Sequence, residues 1–140
     1  MKHAFRIAGA AVIAAAGMTG MAGAQQAKPA PAAALFSDAQ AARGDALYAE
    51  NCAQCHRFDL TGGDLAPALT GPAFTLRWAP KPLSELFDYM RTQMPLNSPG
   101  GMGAQQNADM LAFLLKKSGY AAGKTDLPAT TEALSRVKLP

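Results

Sequence analysis

The sequence predicts an all-α domain. Apolar residues recur at three- and four-residue spacing in three segments, and no alternation of apolar with polar residues is sustained beyond five residues. Between those segments Gly and Pro crowd together, as in loops. Three to five helices joined by long loops are therefore expected within the 140 residues.

Residues 1–24 read as a secretory signal, with Lys2 and Arg6 at a positive start, an apolar run from Ile7 to Ala16, and Ala22-Gly23-Ala24 as a small-residue cleavage site. An uncleaved anchor is the competing reading, since Ala8 to Ala24 carries no charge. A spanning helix needs about 20 strongly apolar residues, and this run is mostly Ala and Gly, which argues against a retained membrane segment. Cleavage before Gln25 leaves 116 residues. The signal contains two cations and no acid, so the mature chain carries 11 Lys and Arg against 10 Asp and Glu. A chain this close to neutral offers no electrostatic case for nucleic acid.

Residues 25–36, rich in Ala, Pro, Gln and Lys, read as a flexible linker. The domain is placed at 37–120. Ser37-Asp38-Ala39-Gln40 has the form of a capping box and opens a first helix to about Asn51, with Ala41, Gly44, Tyr48 and Cys52 on one face. Gly62, Gly63, Pro67, Gly71 and Pro72 predict an irregular loop from about Arg57 to Pro80. Pro82 suits a first helical position, and Leu83, Leu86, Phe87 and Met90 follow at helical spacing, giving a helix over 82–92. A second irregular stretch begins at Met94-Pro95. A last long helix follows over 105–117, with Met110, Phe113 and Leu114 inward and Gly119 as its stop. Residues 121–140 form a tail, in which Thr130-Thr131-Glu132 starts one short helix near Leu134.

Cys52-Ala53-Gln54-Cys55-His56 is the C-x-x-C-H signature of covalent haem attachment. Two residues between the thiols, in a helical turn, bring both sulfurs to the vinyl groups on one edge of a porphyrin, and the next residue offers its imidazole to the iron. The cofactor expected is one haem c, bound through Cys52 and Cys55. A zinc site would need about four ligands, and the mature chain has no further Cys or His. A thioredoxin-like pair would want a βαβ context, which is absent from the pattern. Long loops fit a chain wrapped around such a group, which also helps fill the interior of a domain this small.

His3 lies in the signal, so His56 is the only mature histidine and a bis-histidine haem cannot form within one chain. Methionine is the natural second ligand. Met90 and Met110 fall on apolar helix faces, where Met usually packs. Met94 and Met102 lie in the irregular stretch, and Met94 is preferred because Pro95 restrains the backbone beside it. The metal ligands expected are thus His56 and Met94, with Met102 as the alternative.

With a downstream Met94-Pro95, this motif resembles the class I cytochrome c family, the likeness running from about Ser37 to Tyr120. The resemblance implies a small cytochrome c fold in which Gly44 and Tyr48 of the first helix pack against Phe113, with Met110 one turn before it, in the last. It implies that the Pro67 carbonyl accepts a bond from the His56 imidazole. It also suggests Trp78 as a donor to a haem propionate, with simple burial against the porphyrin edge as the alternative, and Arg57, Arg77 and Arg91 as either propionate contacts or, the preferred account, solvated surface residues. Residues 94–127 are similar to cytochromes serving bacterial dehydrogenases, notably haem domains of quinoprotein alcohol dehydrogenases.

The implied function is a one-electron carrier in the periplasm of a Gram-negative bacterium, without enzymatic activity. A periplasmic dehydrogenase would be the donor, and an oxidase or another cytochrome the acceptor. The alternatives are a haem peroxidase or gas-binding protein with an open sixth position, and a haem subunit of a dehydrogenase complex.

Overall fold

A computed structural model describes residues 34–139; the signal expected over 1–24 and most of the linker over 25–36 lie outside the described residues. Six helices follow in order: α1 (Asp38–Asn51), α2 (Ala53–His56), α3 (Gly71–Trp78), α4 (Leu83–Gln93), α5 (Ala104–Lys117) and α6 (Thr131–Leu134). Among the described residues the only β pairing is two isolated bridges, Ser37 with Gly123 and Pro82 with Lys138. None of the described helices is long and apolar enough to cross a membrane.

Ser37 starts α1 as expected, its hydroxyl accepting the Gln40 N–H at 3.0 Å. Gln40 does not complete the capping box. Its buried amide instead pairs with the backbone of one residue, donating to the Leu127 carbonyl at 3.1 Å and accepting the Leu127 N–H at 2.6 Å. Two bonds to an interior backbone that would otherwise go unpaired outweigh one exposed cap.

The irregular loop expected over 57–80 ends early, because 71–78 form α3. Pro72 lies in the first turn, where the missing N–H has no partner to lose, so a residue read as a loop former serves as a helix start. With the single turns α2 and α6, α3 raises the helix number above the three to five expected. Pro82 caps α4 from outside instead of occupying its first position. Gly119, at φ 90°, ends the last long helix in the left-handed conformation that glycine adopts without strain.

Helices α1 and α5 make the most extensive helix contact in the fold. Gly44 is the reason they approach so closely. A Cβ there would lie 2.0 Å from the Asp109 carbonyl oxygen and 2.8 Å from the Phe113 Cβ. One turn on, the Tyr48 and Phe113 rings meet at 5.2 Å between centroids, tilted by 38°.

The chain beyond Tyr120, expected as a tail, packs as a strap. Leu127 and Leu134 are buried, and each such leucine contributes about 2 kcal/mol of apolar burial. The Leu83 N–H donates to the Val137 carbonyl at 2.8 Å, and the Thr131 hydroxyl donates to Asp88 at 2.6 Å. The other end of the domain also extends beyond its expected boundary. Phe36, placed in the linker by composition, is fully buried, and its carbonyl accepts the Gly123 N–H at 2.6 Å.

Arg43 ties the strap to the helix crossing. Its guanidinium reaches Asp109 at 2.8 and 3.0 Å and Asp126 at 2.7 Å, and Asp126 also accepts from Ser37. The Ser37 and Arg43 bonds hold Asp126 below the usual carboxylate range. Burial by itself would push Asp109 up, but its bonds from Arg43 and Gln105 win and hold it down as well.

Gly44→Ala is expected to destabilise the fold by about 3 kcal/mol or more, because backbone on a packed helix must move, and a lowered urea midpoint would show it. The depressed carboxylates give a pH dependence of definite sign. The stability they contribute is complete above the unfolded value of about 3.9 and disappears as pH falls through their lower folded values. Urea midpoints should therefore fall below about pH 4, and the fall should be smaller in Arg43→Ala, which has less of this stabilisation to lose.

Candidate functional site

The end of α1 delivers the motif directly. The Tyr48 carbonyl accepts the Cys52 N–H at 2.9 Å, and the Cys52 carbonyl accepts the amides of Cys55 at 3.1 Å and His56 at 2.9 Å. The helical turn expected between the thiols is therefore present. Cys52 is half-buried and Cys55 exposed. Burial, with a smaller push from Cys55, raises the Cys52 thiol to about 11.

The loop after His56 turns sharply back on itself. The Leu60 N–H bonds the Arg57 carbonyl at 3.1 Å, the Gly62 N–H the His56 carbonyl at 3.2 Å, and the Leu69 N–H the Leu60 carbonyl at 2.9 Å. Gly62 permits the return at φ 70°, where a Cβ would meet the Ala68 nitrogen at 2.4 Å. The return places the Pro67 carbonyl 2.7 Å from His56 Nδ1. A carbonyl only accepts, so Nδ1 carries the proton and the Nε2 lone pair is left for a metal. This bond fixes the ring's tautomer and orientation.

Arg57, the residue after the imidazole, adopts φ 65° and ψ 155°. That region is nearly restricted to glycine and costs another residue about 1–3 kcal/mol. The Arg57 carbonyl accepts the Tyr48 hydroxyl at 2.5 Å. Burial, aided by the charges of Cys52 and Asp59, raises the Tyr48 phenol to about 12, so it remains a donor across the physiological range.

These elements surround a cavity of about 720 Å³, within the range of about 300–1,000 Å³ usual for ligand sites. Cys52, Cys55 and His56 line it, as do Met94 and Met102. Met90 and Met110, buried on their helix faces as expected, also reach it. Met102 packs against the core, and the Asn107 amide holds its carbonyl at 3.0 Å. Met94 is half-buried at the end of α4, with its N–H bonded to the Met90 carbonyl at 3.1 Å.

Of the propionate contacts suggested by resemblance, Arg77 and Trp78 line the cavity, whereas Arg57 and Arg91 do not. Arg91 lies 3.8 Å from Asp88 and stacks over Phe87. Arg77, 4.9 Å from the Trp78 ring centre and 5.4 Å from that of Tyr89, is the only Lys, Arg, Asp or Glu among the described residues that line the cavity. Tyr89 escaped the sequence reading. Its place on α4, four residues before Gln93, carries no signal that it faces Trp78 on another helix.

The donor set fits an iron porphyrin. Two thiols, one imidazole with a free Nε2, thioethers and a mainly apolar wall match covalent attachment and axial ligation, and one cation suits an acidic side group.

Residues 39–114 match the family model described as cytochrome c oxidase, cbb3-type, subunit III. The chain is also similar to one in the crystal structure of the sulfane dehydrogenase SoxCD from Paracoccus pantotrophus. The likeness has a TM-score of 0.54 and 34% identity, and covers 71% of this chain and 53% of that one. It thus spans about half the length of that chain. No curated protein matches. Its attachment motif, cavity and helix crossing are those of a c-type cytochrome, and the chain belongs to the cytochrome c family described as cytochrome c oxidase, cbb3-type, subunit III.

Proposed function

We propose that the protein is a periplasmic one-electron carrier, holding one haem c through thioether bonds to Cys52 and Cys55 with His56 and Met94 as axial ligands. The observation that carries this reading is the His56 Nδ1 bond to the Pro67 carbonyl at 2.7 Å, which presents Nε2 at an apolar cavity edged by both thiols. Bound there, a haem c supplies reversible one-electron transfer at iron.

The chain's residues set the conditions for that transfer. The Pro67 carbonyl keeps the His56 ring in one orientation, so little geometry need change between oxidation states. Phe74, Leu86, Met110 and Leu114 supply a water-excluding wall, which together with thioether ligation favours a high potential. Arg77 offers charge compensation to a propionate. Met90 and Met110 belong to the core, and Met102 packs against it. Met94 is therefore the cavity methionine freest to ligate.

The partners proposed are a dehydrogenase as donor and an oxidase or another cytochrome as acceptor. The likeness to a chain of a sulfane dehydrogenase favours a second form of this reading, in which the protein is a resident haem subunit of a dehydrogenase complex. An open sixth position, as a peroxidase or gas-binding protein requires, finds less support, because four methionines line the cavity.

Spectra of the purified protein test the ligand set. Protein made with the periplasmic haem-attachment machinery should carry one haem that survives acid–acetone extraction, and Cys52→Ala with Cys55→Ala should abolish that attachment. The oxidised protein should show the weak near-infrared thioether-to-iron band. Complete loss of the band in Met94→Ala and its retention in Met102→Ala are expected; the reverse pattern would move the ligand to Met102.

A further inference from the structure

We infer that Tyr48 is a positioning residue for His56, its phenolic O–H clamping the carbonyl of Arg57 and so holding the strained peptide that follows the imidazole. The inference rests on the haem-ligand reading of His56. Arg57 has a side chain yet adopts φ 65°, ψ 155°. Such a peptide relaxes by rotating unless its surroundings prevent it. Two donors prevent it here, the Tyr48 hydroxyl at 2.5 Å and the Leu60 N–H at 3.1 Å.

Tyr48 can act as a fixed post because it is itself immobilised. Its ring is 2% exposed and meets Phe113 at the α1–α5 crossing. The hydroxyl therefore transmits the geometry of the helix crossing to the backbone beside His56. Rotation at Arg57 would shift the Gly62 N–H bond to the His56 carbonyl, and with it the loop that returns Pro67 to Nδ1. A tyrosine read from sequence only as a packing aromatic thus has a polar task that phenylalanine cannot perform.

Hydrogen exchange on the full-length protein tests the clamp. Tyr48→Phe removes one oxygen and leaves the ring contact, so it should accelerate exchange of the His56 Nδ1–H and the Gly62 amide by about tenfold while Leu111 and Leu115 amides in α5 keep their rates. The reduction potential should shift with them. Adding Arg57→Gly should restore exchange to within about threefold of wild type, because glycine holds this backbone without a clamp. Unchanged exchange in Tyr48→Phe, equal acceleration in α5, or no rescue by glycine would each overturn the proposal.

If Tyr48→Phe does not fold, Arg57→Gly in the wild-type background decides. Raised stability with slow Gly62 exchange supports a clamped, strained peptide, and lowered stability overturns it. Haem uptake by the wild-type chain tests the carrier reading separately. Gly62 exchange is read on the haem-loaded protein, whose haem content and spectrum report separately on the carrier reading, so failure of one reading is distinguishable from failure of the other.

Discussion

The distance between α1 and α5 governs the rest of the structure, and Gly44 sets it. With no Cβ, α1 comes down on the Asp109 backbone, leaving room for no other side chain. That approach brings Tyr48 onto Phe113. Since Cys52 is bonded to the Tyr48 carbonyl, the crossing also decides where the attachment motif emerges. The site is an extension of a helix contact and not a separate module placed beside it.

The small domain closes this contact from outside with its own chain. Phe36 enters from one end, and Leu127 and Leu134 from the other. Polar groups determine where the strap lies. Gln40 pairs with both backbone groups of Leu127, and Arg43 joins Asp109 of the crossing to Asp126 of the strap. Apolar burial is non-directional, so it can favour closure without choosing a register; the paired amide and the forked guanidinium supply that choice.

The cavity wall opposite the motif carries a different chemistry from the crossing. Its ligand candidates are thioethers, and its one formal charge, Arg77, rests on the faces of Trp78 and Tyr89. Such a wall keeps its cation at aromatic faces that stabilise it. The clamp on Arg57 and the Pro67 carbonyl act together on the other side. One restrains the backbone after His56 and the other restrains its ring.

The sequence by itself determined the Cys52-Ala53-Gln54-Cys55-His56 motif, the helical pattern, and the likeness that identified Gly44, Tyr48, Phe113 and Pro67. These are local spacings or residue types whose chemistry is nearly unique. It misread Pro72 as loop and Phe36 as linker, because a proline or a phenylalanine has the same letter whether it begins a helix, fills a core or faces solvent. Only the tertiary structure decided that the chain after Tyr120 is a strap, that Gln40 serves Leu127 instead of its own helix end, and that Tyr48 bonds the Arg57 carbonyl. Each of those depends on which groups meet across long separations or at an unusual backbone angle, and that is settled when packing fixes their positions, not by the identity of any residue alone.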